Sequence, residues 1–257
     1  MFEYVERIHF LATPFDLLSE GKVLSMLSQP GLADLPFRYL VTPNSDHVVR
    51  NYTQPRLLDI YENAWLSLCD SQVVARLARA KNYPIKEVVT GSELTRNLFE
   101  SVFDAGHRIT VIGCELRVVD YLKEHYGLSK INHHNPKMGF IHDDSAIQEC
   151  CQFVIDHPAD FVLIAVGSPQ QEILASFLSS TSGCKGIGLC IGASLLFLSG
   201  QERRAPRIFS RLGLEWLFRL LQDPKRLWRR YFNNLNIFPM VFREKPFDGK
   251  ASHRSLI

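Results

Sequence analysis

Asp70 follows the apolar run 65–69 and precedes "SQVVARLARA". A carboxylate at such a junction has two uses: it caps the following helix, or it stands at the end of a strand as a general base. Thr42 and Asn44, in "TPNSDH" (42–47), occupy another such junction. There they either build and cap a turn or act as neutral donors to a substrate. In "VGSPQQE" (166–172), Pro169 suits a first helical turn, and Gln170 and Gln171 are expected to point into the mouth of a cleft. Two adjacent amides there are either solvated and idle or suited to the edge of a sugar or of uracil. Gly113, Gly167 and Gly192 also follow apolar runs, in small turns of the kind that receive phosphate at helix N-termini.

Other chemistries find less support. Gly113 lies in "VIGCE", without the further glycines of a dinucleotide-binding turn. "HHNPKMGFIHDD" (133–144) collects His133, His134, His142, Asp143 and Asp144. Adjacent histidines do not converge easily on one ion, so the segment reads as a surface loop and no metal or cofactor is expected. No GxSxG elbow marks a hydrolase. The six cysteines show no CxxC spacing and several flank apolar runs, which predicts buried free thiols in a reducing cytosol.

The elements that must position these residues follow from periodicity. Strands are expected at 37–42, 65–69, 86–91, 108–114, 161–167 and 186–192, mostly continuous apolar runs suited to a sheet buried on both faces. Helical patterns lie at roughly 14–28, 45–63, 71–82, 92–105, 115–126, 144–157 and 169–181. Their caps are expected at Ser45 or Asp46, at Ser92, and at Asp144 or Ser145. The alternation predicts an α/β fold: a Rossmann-like, doubly wound, mostly parallel sheet whose ligands lie beyond the carboxyl ends of the strands.

Composition changes near residue 200. The net charge of the chain is only +2, yet residues 201–231 hold nine Arg or Lys against three Asp or Glu. Arg207, Arg211, Glu215 and Arg219 repeat every four residues, while Phe209, Leu212, Trp216 and Leu220 form an apolar stripe. Beyond Asp223 and Pro224, Arg226 and Arg230 stand four apart, as do Lys225 and Arg229, with Trp228 and Phe232 on another face. The expected organisation is a catalytic body (1–200), a basic amphipathic helical appendage (201–245) and a tail (246–257). Either the appendage packs its stripe on the body with solvated charges, or it meets an anionic surface and brings guanidinium groups to a diphosphate. Trp and Leu at core-like spacing argue against nucleic acid. The first residues do not read as a signal peptide, and no apolar run approaches the ~20 residues that span a bilayer. The expected location is cytoplasmic, with peripheral membrane contact.

The order of motifs resembles the WecG/TagA/CpsF family, bacterial inverting glycosyltransferases of family 26 that build cell-surface polysaccharides. "VTPNSDHVV", "CDSQVV", "VTGSEL", "VGSPQQE", "GASLLFLSG" and "RRAPRIFSRLGLEWLFRLLQDPKRLWRRY" carry the resemblance, over about residues 8 to 238. It implies a UDP-sugar donor, an undecaprenyl-diphosphate-linked acceptor at the inner face of the plasma membrane, and no required metal. It also implies Asp70 as general base, Thr42 and Asn44 beside it, Gln171 at the donor, and Arg204, Arg207, Arg211, Arg226, Arg229 and Arg230 at the diphosphate or the membrane. Four positions depart from the family pattern: Ser71 for glycine, Val88 for arginine, Gln170 for lysine and Leu196 for aspartate. On the last three rests a second reading, a non-catalytic nucleotide-sugar or lipid-binding subunit of a polysaccharide complex. A homo-oligomer is compatible with the sequence.

Overall fold

The computed structural model describes residues 4–31, 34–202, 209 and 215–255, apart from the side chains of residues 215, 219 and 226. The chain opens with strands β1 (Tyr4–Phe10) and β2 (Thr13–Asp16) and helix α1 (Glu20–Leu27). Next come β3 (Arg38–Val41), α2 (Ser45–Thr53), α3 (Leu58–Glu62), β4 (Leu66–Ser67), α4 (Gln72–Ala80) and α5 (Gly91–Ser101). Then follow β5 (Ile109–Gly113), α6 (Leu116–Tyr126), β6 (Ile131–His134), α7 (Asp144–Asp156), β7 (Phe161–Ala165), α8 (Gln170–Ser180), β8 (Ile187–Cys190) and α9 (Ser194–Leu198). Helices α10 (Glu215–Gln222), α11 (Pro224–Asn234) and α12 (Ile237–Arg243) precede a last strand, β9 (Ser252–Ser255).

Six strands form a parallel sheet in the order β4-β3-β8-β7-β5-β6. Period-two alternation sends successive side chains to opposite faces. On β7, Phe161 and Leu163 join one core with Leu94, Leu98, Val118 and Leu122 of α5 and α6. Val162 and Ile164 join the other, with Ile147, Leu174, Leu178 and Tyr61 of α7, α8 and α3. Continuous apolar runs are therefore what a sheet covered by helices on both sides requires. This is the Rossmann-like architecture expected. The chain leaves β5 outward to β6 and leaves β7 inward to β8, so the connections diverge between the two strands and open a crevice at their carboxyl ends.

A second, antiparallel sheet, β2-β1-β9, covers α2 and α4 through a third core. Ile8, Phe10, Leu11 and Phe15 meet Val48, Val74 and Ala78 there, together with Ile237 and Val241 of α12. Arg7 and Asp16 close the hairpin with a buried, two-pronged ion pair, and Asp16 also accepts the Ser67 N–H at 2.7 Å.

Several expectations change here. The region 14–28 begins as a strand, because residues 13–16 pair with β1 before the helix starts. The run 86–91 forms no ladder; Val89 gives a single N–H to the Cys69 carbonyl (2.9 Å) beyond the two-residue strand β4. His133 and His134 belong to edge strand β6, not to a loop. The segment expected as a tail returns to the body, where β9 pairs with β1.

Candidate active site

The caps decide how the strand exits are used. Ser71, not Asp70, caps α4: its side chain accepts the Val74 N–H at 3.2 Å. The Asp70 carboxylate instead accepts the Gly91 N–H (3.1 Å) at the start of α5, and the Asp70 N–H donates to the Pro43 carbonyl (3.0 Å). Asp70 is thus half-buried between the exits of β3 and β4 and the α5 N-terminus. A Cβ added to Gly91 would stand 2.7 Å from Thr42 Oγ1 and 3.6 Å from Asp70 Oδ2, so hydroxyl and carboxylate both lie against the first residue of α5. Asn44 is the cap of α2, accepting the Asp46 N–H at 3.0 Å. Thr90 caps α5 and Asp143 caps α7, each just ahead of the expected position. Cys69, next to Asp70, is buried, and burial pushes its thiol up to about 12; it is a neutral neighbour and no nucleophile.

Gln171 is not at the mouth of the cleft. It is 5% exposed, its Nε2 donates to Glu172 Oε1 (2.8 Å), and its Oε1 accepts the Gly192 N–H (2.8 Å). Gln170 is the half-buried member of the pair. Glu172 is 2% exposed, and its Oε1 also faces His47 Nε2 at 3.3 Å. Burial alone raises its pKa, but hydrogen bonds from His47 and Gln171 and the pull of His47 hold the carboxyl below its usual range. With Nε2 turned to Glu172, His47 Nδ1 accepts the Asn44 N–H at 3.1 Å and lies 2.8 Å from Asn44 Oδ1. Gly113 and Gly167 flank the crevice at the ends of β5 and β7. At Gly113 (φ +96°) a Cβ would stand 2.7 Å from Val166 Cγ1 and 2.9 Å from the Ala165 backbone, so close strand packing requires the glycine there.

Asp46 joins the appendage to this edge. Arg230 Nη2 lies 3.0 Å from Asp46 Oδ2, Arg50 Nη1 lies 3.6 Å from it, and the Asn234 amide, with its nitrogen facing Asp46, reaches Oδ1 at 3.2 Å. Arg50 also donates to the Ser168 hydroxyl after β7. Helices α10 and α11 meet through Trp216 and Tyr231, with ring centroids 5.8 Å apart. Arg229 is exposed and lies along the Trp228 ring. Arg204, Arg207 and Arg211 lie outside the described residues, as does the Arg226 side chain. Trp228, Phe232 and Leu235 leave one side of α11 uncovered, and Phe238 and Phe242 are exposed on α12.

Over residues 8–251 the chain matches the glycosyl transferase family WecG/TagA/CpsF. The chain belongs to that family. It is a glycosyltransferase. Among its curated relatives is a protein of Staphylococcus aureus (strain MW2), 24% identical over 74% of each chain. Another, from Bacillus spizizenii, is 25% identical over 84% of this chain and 82% of its own. Both relatives are named N-acetylglucosaminyldiphosphoundecaprenol N-acetyl-beta-D-mannosaminyltransferase.

In this glycosyltransferase, sequence patterns alone passed over His47, Glu172 and Arg50, and offered Asp46 only as a helix cap. The signal was present, because His47 and Glu172 are polar residues on helix faces otherwise buried, and Asp46 and Arg50 stand at i, i+4. Leu196 and Val88, the positions that depart from the family pattern, pack partly buried against the first and third cores. Among the described residues no three His, Cys, Asp or Glu converge as a metal site; His133 Nε2 faces the Gly113 carbonyl at 3.1 Å. No described helix is long and apolar enough to cross a membrane.

Proposed function

We propose that this glycosyltransferase moves a sugar from a UDP-sugar to an acceptor carried on a lipid diphosphate, inverting the anomeric carbon, in the assembly of a bacterial surface polymer. The observation that carries the proposal is the Asp70 carboxylate at the exits of β3 and β4, beside Thr42, with the α4 cap supplied by Ser71 instead. A base at that place takes the proton from an acceptor hydroxyl as its oxygen attacks the anomeric carbon from the side opposite UDP. One displacement then inverts the configuration and releases UDP. Thr42 and Asn44 line the acceptor side of the exits. Gly113, Gly167, Gln170 and Gly192, at the crevice between β5, β7 and β8, form the donor side. Cationic and amide groups stabilise the departing diphosphate without a metal.

The relatives' names support a lipid-diphosphate acceptor, and the departures at Val88, Gln170 and Leu196 leave the donor sugar as a hexose or an N-acetylhexosamine. The uncovered aromatic side of α11 and α12, next to Arg229 and Arg243, supports a peripheral contact with the inner membrane face. Turnover of a radiolabelled UDP-sugar panel with isolated lipid-linked acceptor tests the proposal. Wild-type protein should transfer one label, and EDTA should not stop it. Asp70→Asn should lower kcat by about 10²–10⁴ while UDP affinity holds. Near-wild-type turnover by that variant would remove Asp70 from the chemistry.

A further inference from the structure

β3, β8 and β7 are adjacent in the sheet, and one line of buried side chains ties their exits together. Asn44 follows β3, Gln171 and Glu172 follow β7, and Gly192 follows β8. The line runs from Asn44 to His47 Nδ1, from His47 Nε2 to Glu172 Oε1, from Glu172 to Gln171 Nε2, and from Gln171 Oε1 to the Gly192 N–H. The side chains of His47 and Glu172 are 8% and 3% exposed, so water does not compete for these bonds. Glu172 accepts only, so it fixes which end of the Gln171 amide is nitrogen, and the oxygen must then face Gly192.

A carboxylate placed only for stability would be expected to satisfy both oxygens, since a buried charge is costly unless fully paired. Here Oε1 takes both His47 and Gln171, and Oε2 has no hydrogen-bond partner in this geometry. The bonds converge on the oxygen that orients the two neighbouring exits.

We infer that His47 and Glu172 are positioning residues that hold the acceptor-side turn at Asn44 and the donor-side turn at Gly192 in one register. The inference rests on the assignment of those two turns to acceptor and donor. His47 is the hinge of the line, because each ring nitrogen serves one side. The Glu172 half sets the donor turn, and the Asn44 half sets the turn beside Asp70.

Two half-replacements separate these roles. His47→Gln reaches Glu172 with its terminal amide but gives up the contact with Asn44. His47→Asn keeps a polar atom near Asn44 and gives up Glu172. The measurements are UDP affinity by calorimetry, kcat and donor KM with the lipid-linked acceptor, and Tm. His47→Gln should lower kcat about tenfold with UDP affinity within twofold of wild type. His47→Asn should weaken UDP and raise the donor KM about tenfold, with the smaller effect on kcat. Glu172→Gln should behave like His47→Asn, because it reverses the amide preference at Gln171 and spares Asn44; it carries the test if His47→Asn does not fold. A lowered Tm with kcat and donor KM changed in parallel in all the variants, or not changed at all, would overturn the inference while leaving the site assignment standing. Failure of the wild-type protein to bind UDP would overturn the donor assignment and the inference with it.

Discussion

Ser71 and Asp70 are neighbours in sequence with opposite fates, one spent on the α4 N-terminus and one directed to the Gly91 N–H. The difference is geometric. A cap needs its oxygen over the N–H groups two or three residues on, and Ser71 reaches Val74, whereas Asp70 sits a residue too early. At Glu172 the same scale gives a pH prediction. Its carboxyl is held below the ordinary value of 4.5, so its contribution to stability is complete above the unfolded-state value and disappears as pH falls through the lower folded-state value. Tm measured from pH 6 down to pH 3 should fall more steeply in wild type than in Glu172→Gln, which has no proton to gain. Parallel curves would mean that the carboxyl does not sense its partners.

Elements bring these residues together by ending where they do. α5 starts at Gly91, and only a residue without Cβ allows Thr42 Oγ1 to approach its first turn so closely, next to Asp70. Gly91→Ala should therefore displace the Thr42 hydroxyl and lower turnover by about 10²-fold, the scale of a misplacement of about 1 Å, while the fold persists. Circular dichroism beside the transfer assay checks both halves; normal turnover would show that Thr42 can retreat at no cost. The parallel sheet was legible because both-face burial writes itself as unbroken apolar runs. The strand exits were legible because small polar residues follow those runs. The first hairpin was not legible. Its turn places Leu11 and Ala12 at φ +49° and +61°, where Asn or Gly is the usual marker, and Leu11 is held there fully buried in the third core. The His47 to Glu172 link was hidden for another reason. It joins residues from opposite halves of the chain, and no local spacing encodes that.

For the whole molecule, we propose that residues 201–245 act as the appendage that brings the catalytic body to the bilayer. The contact through Asp46, Arg230 and Asn234 sets α11 against the start of α2, after the β3 exit. A partly exposed ion pair of this kind is worth only about 0.2–1 kcal/mol, so apolar burial must carry the docking. Ile237→Ala, in the third core, should cost about 2–5 kcal/mol by denaturant unfolding; a loss under 1 kcal/mol would mean that α12 does not dock there in solution. Sedimentation with anionic liposomes should fall when Trp228 and Phe232 are both changed to Ala. Reversing the charge of Arg229 and Arg230 should reduce it further, each basic residue contributing about 1 kcal/mol at such a surface, and high salt should imitate the reversal. Binding that survives all three would place the membrane contact elsewhere.

The pairing of β9 with β1 gives the appendage a second attachment. Between Gly200 and Ser252 the chain departs and comes back, so this stretch is a closed loop and not a dangling arm. Closed loops tolerate changes of length: each doubling adds only about 0.6 kcal/mol of closure entropy. They also tolerate a break, because both cut ends remain held by folded structure. In the membrane contact proposed above, a pull on α10 and α11 would meet the body first through Ile237 and Val241 of α12 and then through the β1–β9 ladder, beside the buried clasp of Arg7 and Asp16. On that proposal the strands at the two ends of the described chain are the last moorings of the part that meets the lipid.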